Sequence, residues 1–184
     1  YALVLKEKGY VFDVGFTSVL KRGIRTLEIT LQVLGQENIP IVKNQRLNER
    51  HYGDLQGFNK AEIAEKYGKK QVMLWRRSYD VAPPNGESLK NTYERAIPYF
   101  KEKVEPEIAA GKKVILSGHS NSIRAIVKYL ENLSDEEIIS VNIPYCIPLI
   151  YEFDENLKAT KHYYLATDEE VAAAIQSVKN QIKR

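Results

Sequence analysis

The chain has 184 residues, 43% hydrophobic and 28% charged, with a net charge of +3. That balance suits one globular domain spanning residues 1–184 and excludes an intrinsically disordered chain. No apolar run nears the roughly 20 residues that span a bilayer, the N-terminal stretch lacks the marks of a signal peptide, and the single Cys146 excludes an internal disulfide, so a cytoplasmic setting is expected.

Tyr1 to Lys8 reads as the back half of an amphipathic helix ending near Gly9, and without an opening Met the sequence is expected to begin inside a longer protein. Phe12 to Phe16 alternates like a strand. Leu20, Ile24, Leu27, Leu31 and Leu34 then recur at helical spacing, so a helix is expected over Ser18–Leu34, stopped by Gly35. Ile39 to Val42 is a short strand that Pro40 confines to a start or an edge. Asn48 to Gly57 is a polar loop, and Asn59 with Glu62 forms a capping pattern for a helix to Tyr67. A further helix is expected over Lys69–Tyr79, and Pro83-Pro84-Asn85-Gly86 breaks the chain. One long helix is expected from Glu87 to Ala110, with perturbation at Pro98 and room for a second at Pro106.

Val114-Ile115-Leu116 is short and wholly apolar, as in a buried central strand of a parallel sheet. Ser117-Gly118-His119-Ser120-Asn121 follows it and opens a helix with Ile123, Ile126, Val127 and Leu130 on one face. Ser134 with Glu137 and Thr167 with Glu170 cap two more helices. Strands at Leu149–Phe153 and His162–Leu165 flank a turn at 154–156. The expected fold class is α/β, with helices on both faces of a mainly parallel central sheet in three α/β/α layers.

Charge is unevenly spread. Lys43 to Arg77 holds nine Lys/Arg and four Asp/Glu, whereas Glu131 to Arg184 holds five and ten. A basic middle interleaved with acids points to an anion-binding face and against nucleic acid. Ligands of open α/β sheets bind at the carboxyl ends of strands. Two segments stand there, Thr17-Ser18-x-x-x-Arg22 and His119-Ser120-Asn121, the second at a helix N-terminus that favours anions. His51 beside Arg50 and Tyr52 is either a surface-loop residue or part of the site. The Arg76-Arg77 pair is either a solvated helix end or a phosphate fork. Glu49, set among Arg46, Arg50, His51 and Lys60, is either an ion-paired carboxylate or a proton carrier in a closed site. Cys146 is read as a packed structural thiol. No metal-ligand cluster, Walker loop or Rossmann glycine fingerprint is present, so no metal is expected.

Several blocks together resemble the cofactor-dependent phosphoglycerate mutases of the histidine phosphatase superfamily: Phe16-Thr17-Ser18-Val19-Leu20-Lys21-Arg22, Arg46-Leu47-Asn48-Glu49-Arg50-His51-Tyr52-Gly53-Asp54-Leu55-Gln56-Gly57, Trp75-Arg76-Arg77-Ser78-Tyr79-Asp80-Val81, and His119-Ser120-Asn121-Ser122-Ile123-Arg124-Ala125. The resemblance implies interconversion of 2- and 3-phosphoglycerate through a phosphohistidine primed by 2,3-bisphosphoglycerate, in a dimer or tetramer. It implies that Glu49 exchanges protons and that His119 hydrogen-bonds the transferring phosphoryl group. Arg22, Arg50, His51, Tyr52, Lys60, Arg76, Arg77, Ser120 and Asn121 would then bind substrate. A phosphatase on the same fold, or a non-catalytic relative, is the alternative. The chain departs from the family in three ways. The family's Arg-His-Gly segment with its nucleophilic histidine is not in this sequence, and losing that central strand should leave a gap in the sheet. Ser120 and Tyr145-Cys146 replace Gly and Thr-Gly. The link Ala82–Gly86 is short, which suggests a more open lid.

Overall fold

The computed structural model of the chain describes residues 1–58 and 60–180, excepting the side chains at 60, 61, 179 and 180. The elements run α1 (Ala2–Glu7), β1 (Val14–Thr17), α2 (Lys21–Leu34), β2 (Ile41–Lys43), α3 (Lys60–Tyr67), α4 (Lys69–Arg77), α5 (Leu89–Tyr99), α6 (Glu105–Ala109), β3 (Val114–Ser117), α7 (Ser120–Leu130), α8 (Asp135–Ser140), β4 (Leu149–Phe153), β5 (Ala159–Tyr164) and α9 (Asp168–Asn180). The proposed Asn59 cap lies outside the described residues.

The strands β2, β1 and β3 lie side by side in that order, all parallel. Side chains alternate across a strand, and each face has found a helical cover. Val14, Phe16, Val114 and Leu116 meet Ala96 and Ile97 of α5 and Ala125 and Ile126 of α7. On the opposite face Gly15 lies against Leu27 of α2, where an added Cβ would sit 3.1 Å from the leucine. The α/β class and the parallel sheet covered by helices are therefore as expected.

Several boundaries moved, each for a local reason. Helix α2 starts at Lys21 instead of Ser18, because Ser18 turns its hydroxyl to accept from the Leu20 amide at 3.2 Å. Helix α4 stops at Arg77, and the Ser78 hydroxyl donates back to Leu74 O at 2.7 Å. The long helix is three pieces. Pro98 removes a backbone donor inside α5, and the chain widens into a π-turn over Phe100–Val104 before α6 resumes with Pro106 in its first turn. Strand β5 begins at Ala159. Cys146 is not a packed thiol: it is exposed and holds a φ of +63°. That left-handed backbone costs an L-residue about 1–2 kcal/mol, partly offset by what glycine loses in the unfolded chain. Cys146→Gly should leave stability unchanged or raise it by up to about 1 kcal/mol in urea titrations.

The five strands of the described residues divide into two sheets. Strands β4 and β5 form a separate antiparallel hairpin that pairs with neither β1, β2 nor β3. A cleft of about 350 Å³ separates it from β3, lined by Ile115, Leu116, Ile123, Leu149, Tyr151 and Phe153 among others. Val114, Ile115 and Leu116 are only half-buried. An all-apolar run suited to the middle of a sheet stands at its edge.

Candidate functional site at the tips of β1 and β3

Strands β1 and β3 end in register, Thr17 opposite Ser117. The Thr17 hydroxyl donates to Ser117 O at 2.8 Å, and the Ser117 hydroxyl donates to Gly23 O at 3.0 Å. These contacts bring the first turn of α2 against the loop before α7. His119 caps α7, its amide donating to Ser122 Oγ at 2.9 Å. Its imidazole is buried at 7% exposure between two partners. Arg22 Nε–H donates to Nδ1 at 3.2 Å, so Nδ1 carries the lone pair. Nε2 then bears the proton and donates to Ser18 Oγ at 2.7 Å. Burial first, then the Arg22 cation and more weakly Arg95, hold the His119 pKa below its usual value against the pull of Glu49. Both contacts fit a neutral imidazole.

The loop 48–57 delivers the other groups, steadied by short 3-10 turns at Gln45–Leu47 and Gly53–Leu55. Glu49 Oε1 accepts from the Arg50 amide at 2.8 Å and from the Asn121 amide at 3.2 Å. Asn121 is in the first turn of α7, where amides have no partner within the helix. The carboxylate thus occupies the anion-favouring end of that helix. Arg50 is buried, donates from Nη1 to Trp75 O at 3.0 Å, and stacks its guanidinium 4.7 Å from the Tyr52 ring centre. Trp75 is core, packed with Leu55 and Val72. His51 is exposed, and its Nδ1 accepts from the Gly53 amide at 3.0 Å.

Two neighbouring hollows result. One, of about 530 Å³, is lined by Arg22, Glu49, Arg50, His51 and Tyr52, and also by Arg46 and Arg95. The other, of about 100 Å³, is lined by Arg50, Tyr52, Arg76, Arg77, Ser120 and Asn121, and also by Arg124 and Tyr145. Arg50 and Tyr52 border both. Burial, with Arg77 and Arg50 as like-charged neighbours, pushes the Arg76 pKa down, and Arg77 is held by Asn142 Oδ1 at 3.1 Å. The structure therefore gathers Arg22, Glu49, Arg50, His51, Tyr52, Arg76, Arg77, His119, Ser120 and Asn121 into one region. The Lys60 side chain lies outside the described residues. No group of three or more His, Cys, Asp or Glu poised for a metal occurs among the described residues.

Some participants have no local signature in the sequence. Ser18 belonged to a block of interest without a role of its own, and its contact with His119 spans 101 positions. Arg124 is a buried guanidinium whose pKa burial lowers to about 10. It donates to Asn121 Oδ1 at 3.2 Å and to Ile138 O at 2.6 Å. Arg50 Nε and Arg124 Nε are buried without a hydrogen-bond partner, donors left unused beside a cationic hollow. The short link is no loose lid. Asp54 N donates to Pro84 O at 3.0 Å, Asn85 Nδ2 donates to both Asp54 carboxylate oxygens at 3.1 and 3.0 Å, and Glu87 N donates to His51 O at 2.8 Å. The link is stitched to the loop that carries Glu49.

A model of the histidine phosphatase superfamily (branch 1) matches residues 2–165. A 2,3-bisphosphoglycerate-dependent phosphoglycerate mutase of Treponema denticola is 48% identical over 205 residues, which cover 98% of this chain and 83% of the relative. A protein of the same name from Parabacteroides distasonis is 44% identical over 206 residues, with the same coverage. Both aligned stretches are longer than this chain, so these relatives carry extra residues within them. Among solved structures, Bacillus stearothermophilus YhfR superposes with a TM-score of 0.71 at 23% identity, covering 83% of this chain and 75% of that one, a likeness of fold. With sequence blocks, fold and relatives in agreement, the chain belongs to the histidine phosphatase superfamily, among its 2,3-bisphosphoglycerate-dependent phosphoglycerate mutases.

Proposed function

We propose that the protein interconverts 2- and 3-phosphoglycerate through a phosphohistidine primed by 2,3-bisphosphoglycerate. One observation carries the reading. Glu49 and His119, distant in sequence, meet at the N-terminus of α7, with the Glu49 carboxylate on the Asn121 amide at 3.2 Å. Arginines 22, 50, 76 and 77 surround them. A carboxylate among arginines serves proton transfer, and the arginines neutralise a small, multiply charged substrate. In the proposed cycle a histidine nitrogen attacks phosphorus, the bond from phosphorus to the glycerate oxygen breaks, and that oxygen takes a proton from Glu49. In the reverse transfer Glu49 takes the proton of the accepting hydroxyl. Arg22 and His119 hold the phosphoryl group in flight. Arg50, Tyr52, Lys60, Arg76, Arg77, Ser120 and Asn121 bind the remaining phosphate and carboxylate, with His51 at the rim.

None of the three histidines suits the nucleophile. Both ring nitrogens of His119 are engaged, His51 is exposed on its loop, and His162 lies in the hairpin 3.7 Å from Glu131. We place the nucleophile on a further strand, supplied from outside residues 1–184, that seats between β3 and β4. The apolar cleft between those strands supports that position. A strand there would end beside Thr17 and Ser117, next to Arg22. The family resemblance adds a dimer or tetramer, which light scattering on the full gene product would check.

The test is to incubate the full gene product with labelled 2,3-bisphosphoglycerate and each monophosphoglycerate. Isomerisation with an acid-labile phosphohistidine outside residues 1–184 is expected. Rapid phosphate release without isomerisation would favour the phosphatase, and label on His51, His119 or His162 would overturn the added strand. Gly23 offers a second check. An added Cβ would lie 2.8 Å from Ser18 Oγ, 3.1 Å from Thr17 Oγ1 and 3.2 Å from His119 Nε2. Gly23→Ala should displace the imidazole and cost about 10–100-fold in kcat/KM, as small misplacements do, measured by steady-state kinetics.

A further inference from the structure

We infer that Arg95 is a positioning residue that, with Glu87, holds the backbone of Glu49 in place for proton transfer. The inference rests on the proton-exchanging reading of Glu49. Arg95 lies on α5, outside every block that drew attention in the sequence. Its guanidinium grips the Glu87 carboxylate as a fork, Nε to Oε1 at 2.7 Å and Nη2 to Oε2 at 2.9 Å. Its other hydrogen bonds go to the segment 46–49. Nη1 donates to Arg46 O at 2.7 Å, and Nη2 donates to Asn48 O at 3.0 Å and Glu49 O at 3.3 Å.

Glu87 completes the grip. Its Oε2 also accepts from the His51 amide at 2.9 Å, so the pair holds the loop on both sides of Glu49. Burial pushes the Glu87 pKa up, but the hydrogen bonds from Arg95 and His51 outweigh it and keep the carboxyl below its usual value. Both side chains are largely shielded, at 22% and 26% exposure, and a planar fork fixes orientation as a single ammonium cannot. The loop backbone is thereby fixed from α5, while the Glu49 carboxylate is fixed from α7 by the Asn121 amide. Release of the first anchor leaves the carboxylate at the end of an unsupported segment.

The experiment compares Arg95→Gln, Arg95→Lys and Glu87→Gln with wild type in the full gene product. For Arg95→Gln the isomerisation kcat should fall at least 30-fold with KM within threefold, and phosphoenzyme formation from 2,3-bisphosphoglycerate should slow with it, because the leaving glycerate oxygen takes its proton from Glu49. Arg95→Lys should recover part of kcat, and Glu87→Gln should fall in the same direction by less. A second readout needs no activity. Hydrogen exchange at the Arg50 and Asn121 amides, which donate to Glu49 Oε1, should quicken at least tenfold in Arg95→Gln, while the amides of α5 stay protected. Unchanged exchange at Asn121, or phosphoenzyme formation that keeps its wild-type rate, would overturn the inference. If Arg95→Gln does not fold, the other two variants carry the same readouts. Wild-type protein that does not isomerise phosphoglycerates would count against the proposed function, and the exchange data would still decide the tether.

Discussion

Glu49→Gln is expected to lower the isomerisation kcat by about 10²–10⁴-fold, the range that a positioned acid–base group supplies. The glutamine oxygen still accepts from the Arg50 and Asn121 amides, which bond to one carboxylate oxygen at 2.8 and 3.2 Å. Geometry is kept, and the ability to carry the proton is lost. The substitution also removes a negative charge from a hollow lined by Arg22, Arg46, Arg50 and Arg95. An anionic substrate then meets less repulsion, so KM should fall or hold. Phosphoenzyme formation from 2,3-bisphosphoglycerate should slow as well, because the leaving glycerate oxygen takes its proton from Glu49. Rapid-quench measurements of both steps check this, and phosphoenzyme formation that keeps its wild-type rate would argue against proton exchange at Glu49.

Gly53→Ala should be the most damaging of the small substitutions. Gly53 has a φ of +57°, and a Cβ there would sit 2.0 Å from Pro84 O and 2.5 Å from Asn85 C and Gly86 N. These are backbone atoms, so the link has to move away as a body. That motion breaks the Asp54 N to Pro84 O bond and strains the Asp54–Asn85 and Glu87–His51 contacts. With about 1 kcal/mol per hydrogen bond and about 1–2 kcal/mol for the left-handed backbone, a loss of about 2–4 kcal/mol is expected in denaturant titrations. A drop of about 100-fold in kcat/KM should accompany it, because the loop carrying Glu49 shifts. Gly57→Ala is the control. It lies in the same loop at a φ of +83° with open space around its Cβ position, so it should show the backbone cost with little loss of activity.

What the sequence disclosed was what short-range pattern can encode. The caps at Ser134–Glu137 and Thr167–Glu170 are present as reciprocal hydrogen bonds. The apolar run at Val114 and the polar segment after it mark a strand that ends at Ser117 and a helix that opens at Ser120, as expected. Arg95, by contrast, reads as an ordinary charged residue on a helix surface, and its partners lie 46 to 49 positions away in a loop. Ser18 and Arg124 are hidden for the same reason: their roles come from which elements the topology brings side by side. The short link misled differently. Length alone suggested openness, but Asn85 accepts a φ of +55° and so closes a turn that lets the link lie flat on the loop.

The half-covered strand β3 and the lone hairpin bear on how residues 1–184 behave in solution. An edge strand beside an apolar cleft is a template for pairing with an extended chain. A preparation limited to these residues should bind a dye such as ANS and scatter light increasingly with concentration. An extended apolar peptide that fills the cleft should suppress both signals. Solubility and chemistry would then depend on the same few ångströms of sheet, so whatever completes the one completes the other.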